Sequence, residues 1–268
     1  YKTDREFISF NRELIGGAIS AGYPLAELGL GAWAEDIKFY LRYEAMAIDI
    51  SDVNPLNAAP LVVASEGRSS ASGFTPRLVR NTINNPLNPS SGSRQSLSLE
   101  LTGVGGEEKY WLGEFSNQWY YPLLEGEWGD LVFSWRFKFS YGDSYNNDPL
   151  PLFRRFFPGG INSVRGYEDR SLGPTDSKGN PYGGAKQVVN NLEFLFPLIN
   201  SAGIKGVVFY DFGQAYDDDQ SITASDLRYG YGAGIRWMSP LGPIRLEFGF
   251  PQDRKPGEKA MVTMFSFG

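Results

Sequence analysis

The sequence predicts an all-β fold, an antiparallel membrane-spanning barrel of about twelve strands. Three observations predict it. Apolar and polar residues alternate with a period of two along most of the chain. Aromatics make up 15% of the 268 residues, beside 32 glycines, as the girdles and glycine-rich strands of such barrels require. No apolar run approaches the ~18–20 residues of a transmembrane helix, and without helices only a closed sheet satisfies its backbone inside lipid.

The alternation is clearest at 131–141. Leu131, Phe133, Trp135, Phe137, Phe139 and Tyr141 share one face, and Ser134, Arg136, Lys138 and Ser140 share the other. Ile37, Phe39, Leu41 and Tyr43 oppose Lys38, Tyr40, Arg42 and Glu44. Leu97, Leu99 and Leu101 oppose Ser96, Ser98 and Glu100, while Ile244, Leu246, Phe248 and Phe250 oppose Arg245, Glu247 and Gly249. Tyr229, Tyr231, Ala233, Ile235 and Trp237 oppose Arg228, Gly230, Gly232, Gly234 and Arg236. With the turn signals between them, these runs place strands at 2–10, 13–25, 36–50, 73–84, 93–103, 109–123, 131–142, 187–198, 204–213, 227–238, 243–250 and 260–268. The first is the weakest. No helical period of useful length occurs.

Two connections are long, 51–72 and 143–186; links at 126–130 and 256–258 read as turns. Alternating short and long links suit a barrel with tight turns on one side and long loops on the other. A soluble β-sandwich or lipocalin-like barrel shows the same period, because alternation does not say which face is inside. Two features favour the membrane. Trp111, Trp119, Tyr120, Tyr121, Trp128 and Trp237 lie near strand ends, where an interfacial belt sits. The polar face mixes both charge signs with glycines, as a water-filled lumen does.

Composition narrows the function. The length suits one domain, 1–268. There is no cysteine and no histidine, which removes disulfides, thiolate metal sites and the commonest general base. A net charge of −6 and a pI near 4.9 argue against nucleic acid as a partner. The first residues, Tyr1-Lys2-Thr3-Asp4-Arg5, form no signal peptide, so a mature chain or a fragment is expected. Ser163 lacks the glycine-flanked nucleophile elbow, and no catalytic residue, metal or cofactor is expected. Gly159, Gly160 and Gly166 have no following Gly-Lys-Ser/Thr for a phosphate cradle. Asp217, Asp218 and Asp219 read as a solvated charge run rather than a calcium site.

The long loop contains Arg154-Arg155-Phe156-Phe157-Pro158-Gly159-Gly160-Ile161-Asn162-Ser163-Val164-Arg165-Gly166-Tyr167. Here the sequence resembles the BamA and TamA superfamily of outer-membrane insertases, whose sixth extracellular loop carries an aromatic-Gly-Gly stretch and Val-Arg-Gly-Phe/Tyr. Leu172-Gly173-Pro174, Tyr182-Gly183-Gly184-Ala185, Asn191-Leu192-Glu193-Phe194 and Phe209-Tyr210-Asp211-Phe212-Gly213 continue it in order. Gly232 to Pro243 is similar to the BamA branch in particular, and Asn84-Asn85-Pro86-Leu87-Asn88-Pro89 resembles the family's strand–turn element. The resemblance covers nearly the whole chain and is densest over 153–250. Departures are plain. The family barrel has sixteen strands, and this chain begins near the fifth, without the periplasmic POTRA domains. It ends at Phe267-Gly268 rather than on an aromatic. Trimming at both ends is expected, although an even count of twelve can close.

The resemblance implies an integral protein of a Gram-negative-type outer membrane. It would assemble β-barrel proteins by strand templating at a lateral seam and by local membrane thinning. Implied partners are outer-membrane lipids, nascent β-barrel clients, and lipoprotein partners reached through the absent POTRA domains. In this chain the seam strand would be the last, with Met264, Phe265, Phe267 and Gly268. A two-partner-secretion-type pore and a passive porin remain alternatives. A lock between loop and lumen is expected at Val164, Arg165, Gly166 and Tyr167. If the apolar faces meet lipid, Glu193 and Asp211 point inward from sequential strands, and a guanidinium from the loop suits two such carboxylates. The matching family positions form this contact.

Overall fold

The computed structural model describes residues 1–7, 10–56, 58–126, 129–146 and 148–267. Twelve strands form one antiparallel sheet in sequence order. They are β1 (Lys2–Glu6), β2 (Asn11–Pro24), β3 (Ile37–Ser51), β4 (Gly67–Asn81), β5 (Gly92–Gly106) and β6 (Tyr110–Leu124), then β7 (Leu131–Ser144), β8 (Lys186–Ile199), β9 (Ile204–Tyr216), β10 (Arg228–Ser239), β11 (Gly242–Pro251) and β12 (Val262–Phe267). Every neighbour is a sequence neighbour, as in an up-and-down barrel. Among the described residues β1 and β12 are the two ends of the sheet and are not paired with each other. No helix of the described residues is long and apolar enough to cross a membrane.

The period of two decides the faces. In β7, Ser134 and Ser140 are fully buried inside, while Arg136 and Lys138 reach inward to Glu193 (3.2 Å) and Glu114 (2.8 Å). The other face carries the apolar set. Ile19, Leu41, Phe74, Leu97, Phe194, Ile235 and Phe265 stay exposed on the outside of seven different strands. A continuous exposed apolar band on a protein of this size is a lipid-facing surface.

Several boundaries differ from the sequence expectation. β1 stops at Glu6 rather than 10, because Phe7 and Phe10 leave the ladder and stack on each other at 4.4 Å. β4 starts at Gly67, so the expected loop 51–72 shrinks; Arg68 to Ser72 carry no apolar alternation, yet pair with β3. Within that loop a five-residue helix, Pro60–Ala64, begins with proline at its first turn. β9 runs on to Tyr216. Of the belt residues, Trp119, Tyr121 and Trp237 are exposed on the outside. Tyr120 is not a belt residue: it faces inward between them and packs on Val132, Leu195 and Val207. Trp128 lies outside the described residues, as does Gly268.

Part of the core sits inside the barrel rather than around it. The connection between β7 and β8 folds into the lumen. There Leu150, Leu152 and Phe153 pack against Phe10, Leu14, Ile48, Ile50 and Leu112. β3 therefore changes its pattern midway. Leu41 and Tyr43 are apolar outside, but from Met46 onward the large apolar side chains, Met46, Ile48 and Ile50, point inward and Asp49 points outward to Arg68, at 2.9 Å.

Candidate functional site

Arg165 enters the lumen at the tip of the loop and is fully buried. Its Nε and Nη2 donate to the two oxygens of Asp211 at 2.6 and 2.7 Å, a bidentate pair, and its backbone N–H donates to the same carboxylate at 3.0 Å. Nη1 lies 2.7 Å from Glu193 and 2.9 Å from Glu247. Its guanidinium carbon stands 3.7 Å from the centre of the Phe209 ring. Burial alone would lower the pKa of this loop arginine; the hydrogen bonds it donates to Asp211 and the charges of Asp211, Glu193 and Glu247 raise it above its usual value instead. The guanidinium stays charged.

Register explains the convergence. Asp211 pairs with Asn191, two residues from Glu193 on β8, so the two carboxylates are diagonal neighbours on one face. Across β10, the lumen-facing positions are Gly230, Gly232 and Gly234, which leaves a lane without side chains between Asp211 and Glu247. The loop backbone lies in that lane: a Cβ on Gly230 would sit 1.9 Å from the carbonyl oxygen of Arg165. Gly166 has φ +96°, and a Cβ there would meet the Phe250 carbonyl at 2.9–3.0 Å. Only glycine suits both the conformation and the approach.

The neighbours of Arg165 fix the rest of the motif. Val164 is fully buried with Tyr167, Leu172 and Val189. The Tyr167 hydroxyl donates to the Tyr229 carbonyl at 2.8 Å, under the Arg228 guanidinium. Asn191 donates to the Ser163 carbonyl at 2.6 Å.

The expected contacts of Arg165 with Glu193 and Asp211 are therefore both present. Sequence reasoning missed Glu247 and the arginines around it. Arg236 bridges Glu193 (2.7 Å) and Glu247 (2.9 Å), Arg245 reaches Glu247 (3.1 Å), and Arg136 reaches Glu193. The signal was the alternation itself, which puts Arg236, Arg245 and Glu247 on the polar faces of their strands. Asp217 and Asp218 are not the solvated run they resemble. Both bind Arg155, which is almost fully buried at the root of the loop. Burial would raise Asp217, but hydrogen bonds from Tyr182 and Arg155 hold it down at about 2, while burial pushes Asp218 up. At the other end of the sheet, Met264 is buried facing the lumen, and Phe265 and Phe267 are exposed outward.

Fold and site together define a class, a membrane β-barrel whose lumen is closed by a docked loop. The Omp85 superfamily domain matches residues 1–268, and the chain belongs to that superfamily. It is 28% identical over 264 residues to an outer membrane protein assembly factor BamA of Nitratidesulfovibrio vulgaris, covering 97% of this chain and 32% of that relative. To a BamA of Neisseria meningitidis it is 29% identical over 227 residues, 70% of this chain and 27% of the other. The crystal structure of BamA from Haemophilus ducreyi lacking POTRA domains 1-3 superposes with a TM-score of 0.78 at 19% identity, over 99% of this chain and 57% of that one. The fold is thus that of a BamA-type C-terminal barrel. The chain spans about a third or less of the length of these curated relatives.

Proposed function

We propose that this barrel inserts β-barrel proteins into a bacterial outer membrane, by mechanical means and without bond chemistry. The observation that carries the reading is the lock. A fully buried Arg165 holds the loop across the bore, so the route for a client is the edge of the sheet rather than its centre. An unpaired strand edge is a template for another strand. β12 is the strand we assign to that role, with Met264 anchored inward and Phe265 and Phe267 turned to lipid. The wall shortens from 15 residues in β3 to β6 to 10 in β11, which favours local thinning of the bilayer beside the seam. Nascent barrel proteins and outer-membrane lipids are the partners this mechanism needs. Periplasmic lipoprotein partners would act through POTRA domains, of which the H. ducreyi crystal structure lacks the first three. The filled lumen disfavours a passive porin and an open translocation pore.

The test is site-specific photo-cross-linking in the full-length protein during assembly of a labelled outer-membrane barrel. A probe at Phe265 should capture the client, and a probe at Phe194, mid-sheet on the same outer face, should not. Equal capture at both positions, or none at Phe265, would overturn the assignment.

A further inference from the structure

The lumen holds a second group of cations, which shares only Arg136 with the lock. A cavity of about 510 Å³ lies between the docked loop and the strand wall. It is lined by Arg5, Arg12, Arg136, Lys138, Arg155 and Arg170, and its described lining includes no Asp or Glu. Four of these cations have carboxylates elsewhere: Arg155 with Asp217 and Asp218, Lys138 with Glu114, Arg136 with Glu193, and Arg170 with Asp169. Glu193 is already shared with Arg165 and Arg236. The lock joins Arg136, Arg165, Arg236 and Arg245 to Glu193, Asp211 and Glu247, so it has no spare negative charge to lend.

Arg5 and Arg12 have no ion pair among the described residues, and they stand directly opposite each other across β1 and β2. Like charges in that position repel. Arg12 is only 9% exposed. One of its Nη atoms donates to the Phe153 carbonyl at 2.9 Å, but its Nε is buried without an acceptor, as is the Nε of Arg136. Arg12 and Arg170 both crowd the Phe7 ring, at 5.5 and 5.3 Å. Buried guanidinium donors without acceptors are costly, and a buried charge without a counter-charge more so.

We propose that this cavity binds a small anion carrying one or more phosphate groups. A guanidinium fork matches phosphate geometry, and several acceptor oxygens can satisfy donors from more than one strand. The volume exceeds what a single phosphate fills and suits a diphosphate or a phosphorylated sugar headgroup.

The experiment is titration calorimetry on the full-length protein in detergent, with inorganic pyrophosphate in one arm and lipid A in mixed micelles in the other. Heat-modified gel mobility checks the folding of every variant. Pyrophosphate should bind. Arg5→Gln and Arg12→Gln should each weaken it tenfold or more, Arg12→Lys should weaken it less, and Arg254→Gln, in the loop before β12, should leave it unchanged. Binding of lipid A alone, with the same dependence on Arg5 and Arg12, identifies a lipid headgroup as the source and supports the site. If Arg12→Gln does not fold, the exposed Arg5 decides by itself. No binding in either arm, or binding indifferent to Arg5→Gln in folded protein, overturns the proposal.

Discussion

One loop is held inside the barrel by two unlike surfaces. Near its start, Leu150, Leu152 and Phe153 meet an apolar wall from β2, β3 and β6. Near its tip, Arg165 meets carboxylates on β8, β9 and β11. The first contact is non-directional and scales with area removed from water. The second depends on geometry, since a bidentate pair fixes both distance and angle. Buried ions add little net stability because desolvation opposes their attraction, yet removing one partner is expensive. The apolar end therefore supplies most of the holding energy, and the ionic end sets where the loop stops.

The largest expected effect is at Arg165. Arg165→Ala leaves the buried Asp211 without its cation, and should cost about 3–5 kcal/mol. Limited proteolysis should then cut within 159–170. Arg165→Lys keeps the charge but not the fork, and should restore only part of the resistance; wild-type resistance in both variants would remove the lock. Phe153→Ala should cost about 3 kcal/mol by opening a cavity. Cleavage should move to 148–157 while the tip stays protected, and simultaneous release of both ends would show one docking unit instead of two.

Smaller effects sharpen the assignment of faces. Phe137→Arg puts a charge in lipid at a cost of about 2–4 kcal/mol and should reduce the heat-modifiable folded band, whereas Lys138→Gln should not. Equal tolerance would reverse the faces of β7. The smallest effect concerns pH. Because Asp217 is held at about 2 when folded, its contribution is complete above the usual carboxylate range and is lost as pH falls from about 4 toward 2. Asp217→Asn should abolish that acid-dependent loosening at about 1 kcal/mol, and loop protection measured across this window checks it. Asp218, shifted the other way, should tolerate Asn better.

All twelve strands and the inward faces of Glu193 and Asp211 were legible because period-two alternation directly encodes which way a side chain points; that Arg165 would meet them rested also on the family resemblance. The network around Glu247 was legible in part. Its face could be read, but the side-chain-free lane of Gly230, Gly232 and Gly234 that lets Arg165 reach it appears only once register is known. The apolar plug was not legible. Ile48 and Ile50 continue the alternation of β3 but on the opposite face from Leu41, and a pattern alone cannot report that its surroundings have changed from lipid outside to a loop inside. Tyr120 misled for a related reason: an aromatic between two belt aromatics on a strand must point the other way.

The two dockings also differ in how far along the chain they reach. Arg165 finds partners 46 and 82 residues away, whereas the Phe153 carbonyl meets Arg12 across 141. Closing the longer span costs more chain entropy and comes later in folding. The strands from β8 to β11 can thus gather around the loop tip as a local nucleus, and the amino-terminal strands then wrap onto a plug already in place. The plug would act as an internal mandrel on which the remaining wall is laid, and pulse-labelled hydrogen exchange should protect β9 to β11 before β2 and β3.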